Sequence, residues 1–552
     1  MEHKKIISWM YLGAMALMIA SIPLSKFMMS VSQFTLAGTL LLDHINRQRA
    51  LGFFKSPTGK VIILFIPMGI MLLAESVFRI FRKFFKKENL PAIIFSSIFL
   101  LHIIGLLYTT DLAYAFKDIR VKLPIFILPV IFSVSPSLDF KKFRFLILLF
   151  TACVFAGTLI STQILLTQDI TDTRYISIFI SHIRFSLLIV YALFILLFFT
   201  FREKGFRFFW KIIFLLITIW LIYYLFISAS MTGLVILSLT LLILFIIGLF
   251  RTKNIFLRIG GPTGIIVSLG IFIYFFISIA NDVYKVHPVS FSNLDKKTAQ
   301  GNLYWNDTSI NDVENGYYVW IYIATREMRE AWNQRSDMDF DGEDARSQTL
   351  KFTLMRFLTS KGFRKDAEGV NKLSEEEIIL VEQGVANVIY HEESHFYVRL
   401  YKLIWGFKHY QISNNPSGMS LFQRFEFWKA SIGILKDHWL TGVGTGDLNI
   451  AFDSQYDKMN SQLKEPFRWR SHNQLLAIFI GFGILGLIWF LFTLLYPPIK
   501  LNMFSDYFYL SFFIIITLSM ITEDTIETQA GATIFAFFTS LLLFGRKDKV
   551  RI

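Results

Sequence analysis

The sequence predicts an all-α polytopic membrane protein, with about twelve transmembrane helices and a large, mainly helical external domain. Three observations carry that reading. Of the 552 residues 54% are hydrophobic, 60 of them Phe, and mean hydropathy is +0.51, more apolar surface than a soluble core of this size needs. Apolar runs close to the ~20 residues that cross a bilayer recur along the chain. Basic residues gather in the short connections between those runs, which is the cytoplasmic bias of Lys and Arg in membrane proteins.

The location of charge excludes a nucleic-acid reading of the net +14. Residues 281–471 hold 26 acidic and 23 basic side chains, whereas the rest of the chain holds 15 acidic and 32 basic. The excess therefore reports topology. The single cysteine, Cys153, lies in an apolar run and has no internal partner for a disulfide.

Taken in order, the amino-terminal Met1-Glu-His-Lys-Lys5 precedes an apolar run without a small-x-small cleavage site at Ser21–Ser25, so an uncleaved first helix is expected. Runs follow near 28–42, 61–78, 91–109 and 123–136. The connections 43–60 and 79–90 are both basic, which one intervening span cannot satisfy, so one run in this third is expected to be short or re-entrant. Runs near 184–201, 209–228, 231–250 and 259–280 then alternate with basic connections such as Arg202–Lys211. At the carboxyl end, runs near 474–496, 504–521 and 530–545 lead to the basic tail Gly545–Arg551, which belongs in the cytoplasm. Three regions result: a helix bundle over 1–280, an external domain over 281–471, and carboxyl-terminal spans over 472–552. A 191-residue connection is too long to be structureless, and Trp305, Trp320, Trp332, Trp405, Trp428 and Trp439 give it bulk to fold.

The chemistry-bearing residues converge on the outer boundary of the spans. Arg424 and Trp428 share a helix face at i and i+4. The stretch Arg468-Trp-Arg470-Ser-His472-Asn473 then abuts the apolar run that begins at Leu475. Arg184 opens another outer span in Ser181-His-Ile-Arg184. Arg120 and Lys122 also fall on the outer side, against the positive-inside expectation, which suits an anionic ligand. Three other motifs read as structural. His391-Glu-Glu-Ser-His395 matches a zinc-hydrolase pattern literally but lacks a third ligand at a usual spacing. Asp337-Met-Asp-Phe-Asp341-Gly342 starts like a calcium loop but carries Gln348 at its twelfth position. Gly442-Val-Gly-Thr-Gly446 lacks a phosphate-loop lysine and reads as a tight turn, with a phosphate or sugar on its backbone N–H groups as the alternative.

Arg184, Ser228-Ala-Ser-Met-Thr-Gly233, Arg424-x-x-x-Trp428, Gly442–Asp447, Ser471-His472-Asn473-Gln474 and Gly481-Phe-Gly-Ile-Leu-Gly486 together resemble the O-antigen ligase family of bacterial envelope glycosyltransferases. The similarity is strongest over roughly 416–490. Glu314-Asn-Gly-Tyr-Tyr-Val-Trp320 and Ile521-Thr-Glu-Asp-Thr-Ile-Glu-Thr-Gln529 resemble members from the Bacteroidetes group with an enlarged external domain. Met231 departs from relatives that carry arginine there. The resemblance implies a GT-C-type inner-membrane enzyme that moves a glycan from undecaprenyl diphosphate to an acceptor hydroxyl, commonly on lipid A-core, on the periplasmic face. It implies inversion, and neither metal nor cofactor. Arg184 and Arg424 would hold the diphosphate and His472 would assist the acceptor hydroxyl, with Arg468, Arg470, Arg120, Lys122, Asn473 and Trp428 as further substrate-binding residues. An O-antigen polymerase and a protein O-oligosaccharyltransferase share this architecture. A transporter would also have many spans, but the central spans carry few ionisable residues.

Overall fold

The computed structural model describes residues 2–45, 65–168, 173–251, 255–413, 415–417 and 419–550. Most of the expected basic connection 43–60 and the start of the run at 61–78 lie outside them. Two compact units form, Met1–Arg258 with Pro416–Ile552, and Ile259–Asn415. Residues 416–471, read from sequence as part of the external domain, thus group with the helix bundle.

The first unit contains α1 (Glu2–Leu24), α2 (Lys26–His44), α3 (Phe65–Phe84), α4 (Leu90–Ile104), α5 (Leu112–Val134), α6 (Phe140–Thr167), α7 (His182–Phe201), α8 (Phe208–Ile227) and α9 (Met231–Arg251). Helix α10 (Ile255–Tyr284) leads into the second unit. Among the described residues seven helices are long and apolar enough to cross a membrane, six of them before residue 251 and one at Gln474–Lys500, and the chain is a multi-pass helical membrane protein. Helix α7 is the most enclosed of these spans. Its Tyr191 ring meets Phe150, Phe512 and Phe538 at 5.9, 5.2 and 5.2 Å. In lipid the neighbours of a helix are as apolar as its own core, so such spans are held by close packing, with aromatic pairs contributing about 0.5–1.5 kcal/mol each.

Helix α5 differs from expectation. The apolar run begins at Leu123, yet the helix starts eleven residues earlier, where the Asp111 side chain accepts from Tyr114 N at 2.9 Å as an N-cap. Asp118, Arg120 and Lys122 are therefore helical, and Lys122 is wholly buried. The carboxylates of Asp118 and Glu527 stand against Lys122 where the sequence suggested an anionic ligand.

The second unit is a small helical domain around Trp332, Phe340, Leu354, Phe357 and Val381. Its helices are α11 (Thr325–Asn333), α12 (Leu350–Ser360), α13 (Ala367–Asn371), α14 (Glu375–Glu382), α15 (Ile389–Glu392) and α16 (His395–Ser413). Strands β1 (Val313–Glu314) and β2 (Tyr317–Tyr318) form a hairpin over Asn315-Gly316, both at positive φ (49° and 90°). That is the backbone a two-residue type I′ turn demands. Helix α15 ends at Glu392 and α16 begins at His395, so His391 and His395 do not share one helix and the zinc-hydrolase spacing loses its geometry. Asp341 is engaged by Arg329 at 2.7 Å.

Lys365 is buried in this unit with its Nζ donating to Tyr318 O at 3.1 Å. Burial pulls its ammonium down to about 7, while neighbouring Asp366 acts weakly the other way. Below that value the folded state carries a buried charge that the unfolded chain hydrates freely. Between about 7 and the ordinary lysine value of 10.5 the unfolded chain binds more protons, so stability rises with pH there. Lys365→Met is expected to flatten that rise in thermal melts of the full-length protein between pH 7 and 10, and an unaltered slope would count against this account.

Candidate functional site

Five further helices complete the first unit: α17 (Ser420–His438), α18 (Leu448–Lys458), α19 (Gln474–Lys500) and the pair α20 (Tyr507–Thr522) and α21 (Gln529–Leu543). A glycine-rich loop fixes their arrangement. Helix α19 is broken at Gly483, whose φ of 64° and ψ of −170° are non-helical, and a side chain there would collide with Leu440 O. The break frees backbone groups that a membrane interior cannot hydrate. Residues 439–446 take them up: Val443 N and Gly444 N donate to Ile480 O and Gly481 O at 2.9 Å each, and Ile484 N donates to Trp439 O at 2.8 Å. The rest of the loop docks on the α4–α5 turn, with Thr445 N on Gly105 O at 3.3 Å and Gly446 N on Thr109 Oγ1 at 2.9 Å. Gly442 N returns to His438 O at 2.9 Å. All five N–H groups of Gly442–Gly446 are consumed within the protein, which removes the phosphate-cradle alternative. Asp447 anchors the same turn, accepting from Thr110 N and Asp111 N at 2.8 Å, and these donors hold its carboxyl below the ordinary range against burial.

With α17 and the start of α19 so placed, Arg424 and His472 meet a common carboxylate from the α20–α21 connection. Arg424 Nη2 donates to Glu523 Oε1 at 2.6 Å, and His472 Nδ1 lies 3.5 Å from Glu523 Oε2, within ion-pairing distance but outside hydrogen-bond geometry. His472 has φ of 45°, an uncommon conformation for a residue with a side chain. Its ring is packed over Phe427 at 5.5 Å and beside Trp469 at 6.1 Å. Trp428 Nε1 donates to Ser471 O at 3.1 Å, and Asn473 caps α19 by accepting from Leu476 N at 3.0 Å while donating to Ile521 O at 2.9 Å. These two residues, expected at the substrate, brace the backbone on either side of His472.

Below lies a buried ionic network. Lys122 Nζ donates to Asp118 Oδ1 at 2.9 Å and Glu527 Oε2 at 2.8 Å. Asp118 also sits 3.3 Å from His102 Nδ1. Glu527 accepts from Gln474 Nε2 at 2.8 Å, and Gln474 Oε1 accepts from Ile526 N at 2.9 Å. Arg470 Nη1 approaches Glu527 Oε2 at 3.6 Å. Burial opposes the charged form of Glu527, but Lys122 and Arg470 outweigh it and hold its carboxyl below the ordinary range. Asp524 differs: burial pushes its carboxyl up, and His472 and Arg470 only partly offset this.

Arg184 approaches the same acidic connection from α7. Its Nη1 donates to Ser181 Oγ at 3.0 Å, it feels the charges of Glu523 and Asp524, and a side chain at Gly531 would come within 3.1 Å of its Nε. Among the described residues Arg184 Nε, Arg470 Nη1 and His472 Nδ1 are buried here without a hydrogen-bond partner, as are both ring nitrogens of His102. Two expected residues stand elsewhere. Arg468 is committed to Asp457 at 2.7 Å and to Leu463 O at 3.2 Å. Arg120 is exposed on α5, on a different face from buried Lys122. Sequence reasoning assigned no role to Glu523, Asp524, Glu527, Gln474, Asp118 or His102. The signal was present in three carboxylates packed into Glu523–Glu527 between two apolar runs, where intramembrane-edge charge marks function by default.

The spans and this charged cluster define a multi-pass membrane protein that concentrates ionisable groups where its helices end. Residues 384–491 match the Wzy_C family, described as O-Antigen ligase, and this likeness supports a glycosyltransferase-type enzyme of the O-antigen ligase superfamily, with lipid-linked glycans as the general substrate class. The match includes Arg424, the glycine loop and His472; Arg184 and Glu523–Glu527 lie outside it. No curated protein matches the chain.

Proposed function

We propose that the protein is an O-antigen ligase of the GT-C type, moving a glycan from undecaprenyl diphosphate to a lipid A-core hydroxyl on the periplasmic face of the inner membrane. The observation that carries this reading is the pair of unpartnered buried guanidinium donors, Arg184 Nε and Arg470 Nη1, beside one acidic connection. Leaving such donors unsatisfied costs about 1–3 kcal/mol each, which a bound diphosphate would recover. Guanidinium groups suit that role because their planar fork binds phosphate oxygens bidentately and stays charged.

In the reaction the acceptor hydroxyl oxygen bonds to the anomeric carbon while the bond from that carbon to the diphosphate oxygen breaks. Arg184 and Arg424 stabilise the charge growing on the departing undecaprenyl diphosphate. With Nδ1 held toward Glu523, Nε2 of His472 takes the hydroxyl proton, a transfer imidazole performs near neutral pH. A single displacement of this kind inverts the anomeric centre. About twelve spans, the helices α1–α10 and α19–α21 with one short or re-entrant, would place 285–471 outside.

An O-antigen polymerase of the same architecture would use the same groups, and a gel of lipopolysaccharide from a deletion strain separates the two. The expected pattern is loss of every capped band. Retention of a core-plus-one-unit band identifies a polymerase, and an unchanged ladder removes both.

A further inference from the structure

The Ile259–Asn415 unit has a groove of about 400 Å³ lined by β1 with the two residues before it, by Val319 and Trp320 just after β2, and by α12 and α16. Its walls are aromatic. Trp320 stands edge-on to Phe352 at 6.3 Å, and across the lining set Trp405 is stacked on His409 at 5.2 Å and 5°. Each indole is held by a polar partner: Trp320 Nε1 donates to Asp312 Oδ2 at 2.9 Å, and the Arg356 guanidinium lies 5.9 Å from the Trp405 ring centre.

The charged groups of the lining are paired within the unit. Glu314, buried at the hairpin turn, accepts from Arg356 Nε at 2.6 Å and Asn387 Nδ2 at 2.7 Å. Asn315 ties in Ser360 O at 2.9 Å and Tyr401 Oη at 3.0 Å. Lys408, the other cation of the lining, donates to Val283 O at 3.0 Å. Both cations are thus engaged by the protein, which disfavours a strongly anionic occupant, and the charged walls disfavour an acyl chain. Flat aromatic faces beside fixed carboxylate and amide groups match a sugar ring, whose C–H face stacks while its hydroxyls form hydrogen bonds.

We infer that this groove binds a short, uncharged segment of a glycan, a second carbohydrate site distinct from the cluster around Glu523. The inference rests on the transferase reading for the origin of that glycan. It accounts for Glu314-Asn-Gly-Tyr-Tyr-Val-Trp320 as one device, in which the tight turn buries the carboxylate that positions Arg356 and the two residues after β2 deliver Trp320.

The test uses the full-length protein in lipid nanodiscs and O-polysaccharide released by mild acid from the lipopolysaccharide of the source organism, titrated by tryptophan fluorescence and saturation-transfer NMR. Trp405→Ala and Trp320→Ala are each expected to weaken binding by about tenfold or more, while Trp405→Phe, which keeps a stacking face, stays within about threefold. Melting temperatures of the three variants report folding. Equal binding by wild type and both alanine variants, or binding by none, overturns the groove. A strain result that removes the ligase, with binding still lost in Trp405→Ala, keeps the groove and retires the transfer reading alone. Normal transfer with undiminished binding in Trp405→Ala does the reverse.

Discussion

Arg424→Ala is expected to lower glycan transfer by about a hundred- to a thousandfold, the usual cost of removing one preorganised donor from a developing anion. The side chain is part-buried and hydrogen-bonded to Glu523, so its loss also removes that carboxylate's hydrogen-bonded cation. Arg424→Lys is expected to recover little, because an ammonium is a point charge without the planar fork. Glu523→Gln should reduce the rate as well, by loosening both Arg424 and the imidazole it faces. The measurement is single-turnover consumption of lipid-linked donor in proteoliposomes, with melting temperature as the folding control. Rates within about threefold of wild type in well-folded Arg424→Ala and His472→Ala would remove these residues from the mechanism.

The second large effect concerns stability. Lys122 is fully buried between Asp118 and Glu527. Lys122→Met leaves two carboxylates without their shared cation, and breaking a buried pair this way costs about 3–5 kcal/mol. The expected result is a large drop in the melting temperature of detergent-solubilised protein and poor recovery from membranes. Adding Asp118→Asn and Glu527→Gln to the same chain should restore much of the loss, since the stranded charges are then gone. An unaltered melt for Lys122→Met would show that the network is looser than its distances imply.

Much of the helix content was legible because a span must present about twenty apolar residues whatever it packs against. Helix α5 was not, since Asp118, Lys122, Pro124 and Pro129 interrupt its pattern and its partner Glu527 lies over 400 positions away. The candidate site divides the same way. Arg184, Arg424 and His472 were visible as cations and a histidine at span boundaries. Glu523 stands in a family-like stretch, and an acidic residue acquires a meaning beside an arginine only once α20 and α21 bring the two together. His391–His395 failed in the opposite sense: the letters match, but the helix stops at Glu392, and ligand geometry needs the helix more than the letters. For Gly442–Gly446 the turn was foreseeable and its docking partners were not.

The break at Gly483 has a consequence for biosynthesis. Helix α19 is apolar enough to partition into lipid as a rod, yet its carbonyls at Ile480 and Gly481 accept from the N–H groups of residues 443 and 444, with Tyr108 Oη also on Gly481 O at 3.4 Å, and that loop is in turn pinned to Gly105. A nascent chain leaving the ribosome has made the Gly105 turn and the glycine loop before α19 emerges. The span can therefore settle in its kinked form only against a platform already assembled, so insertion and folding of the carboxyl-terminal spans become one event. A chain in which that platform is defective would present α19 to quality control as a straight, misregistered helix.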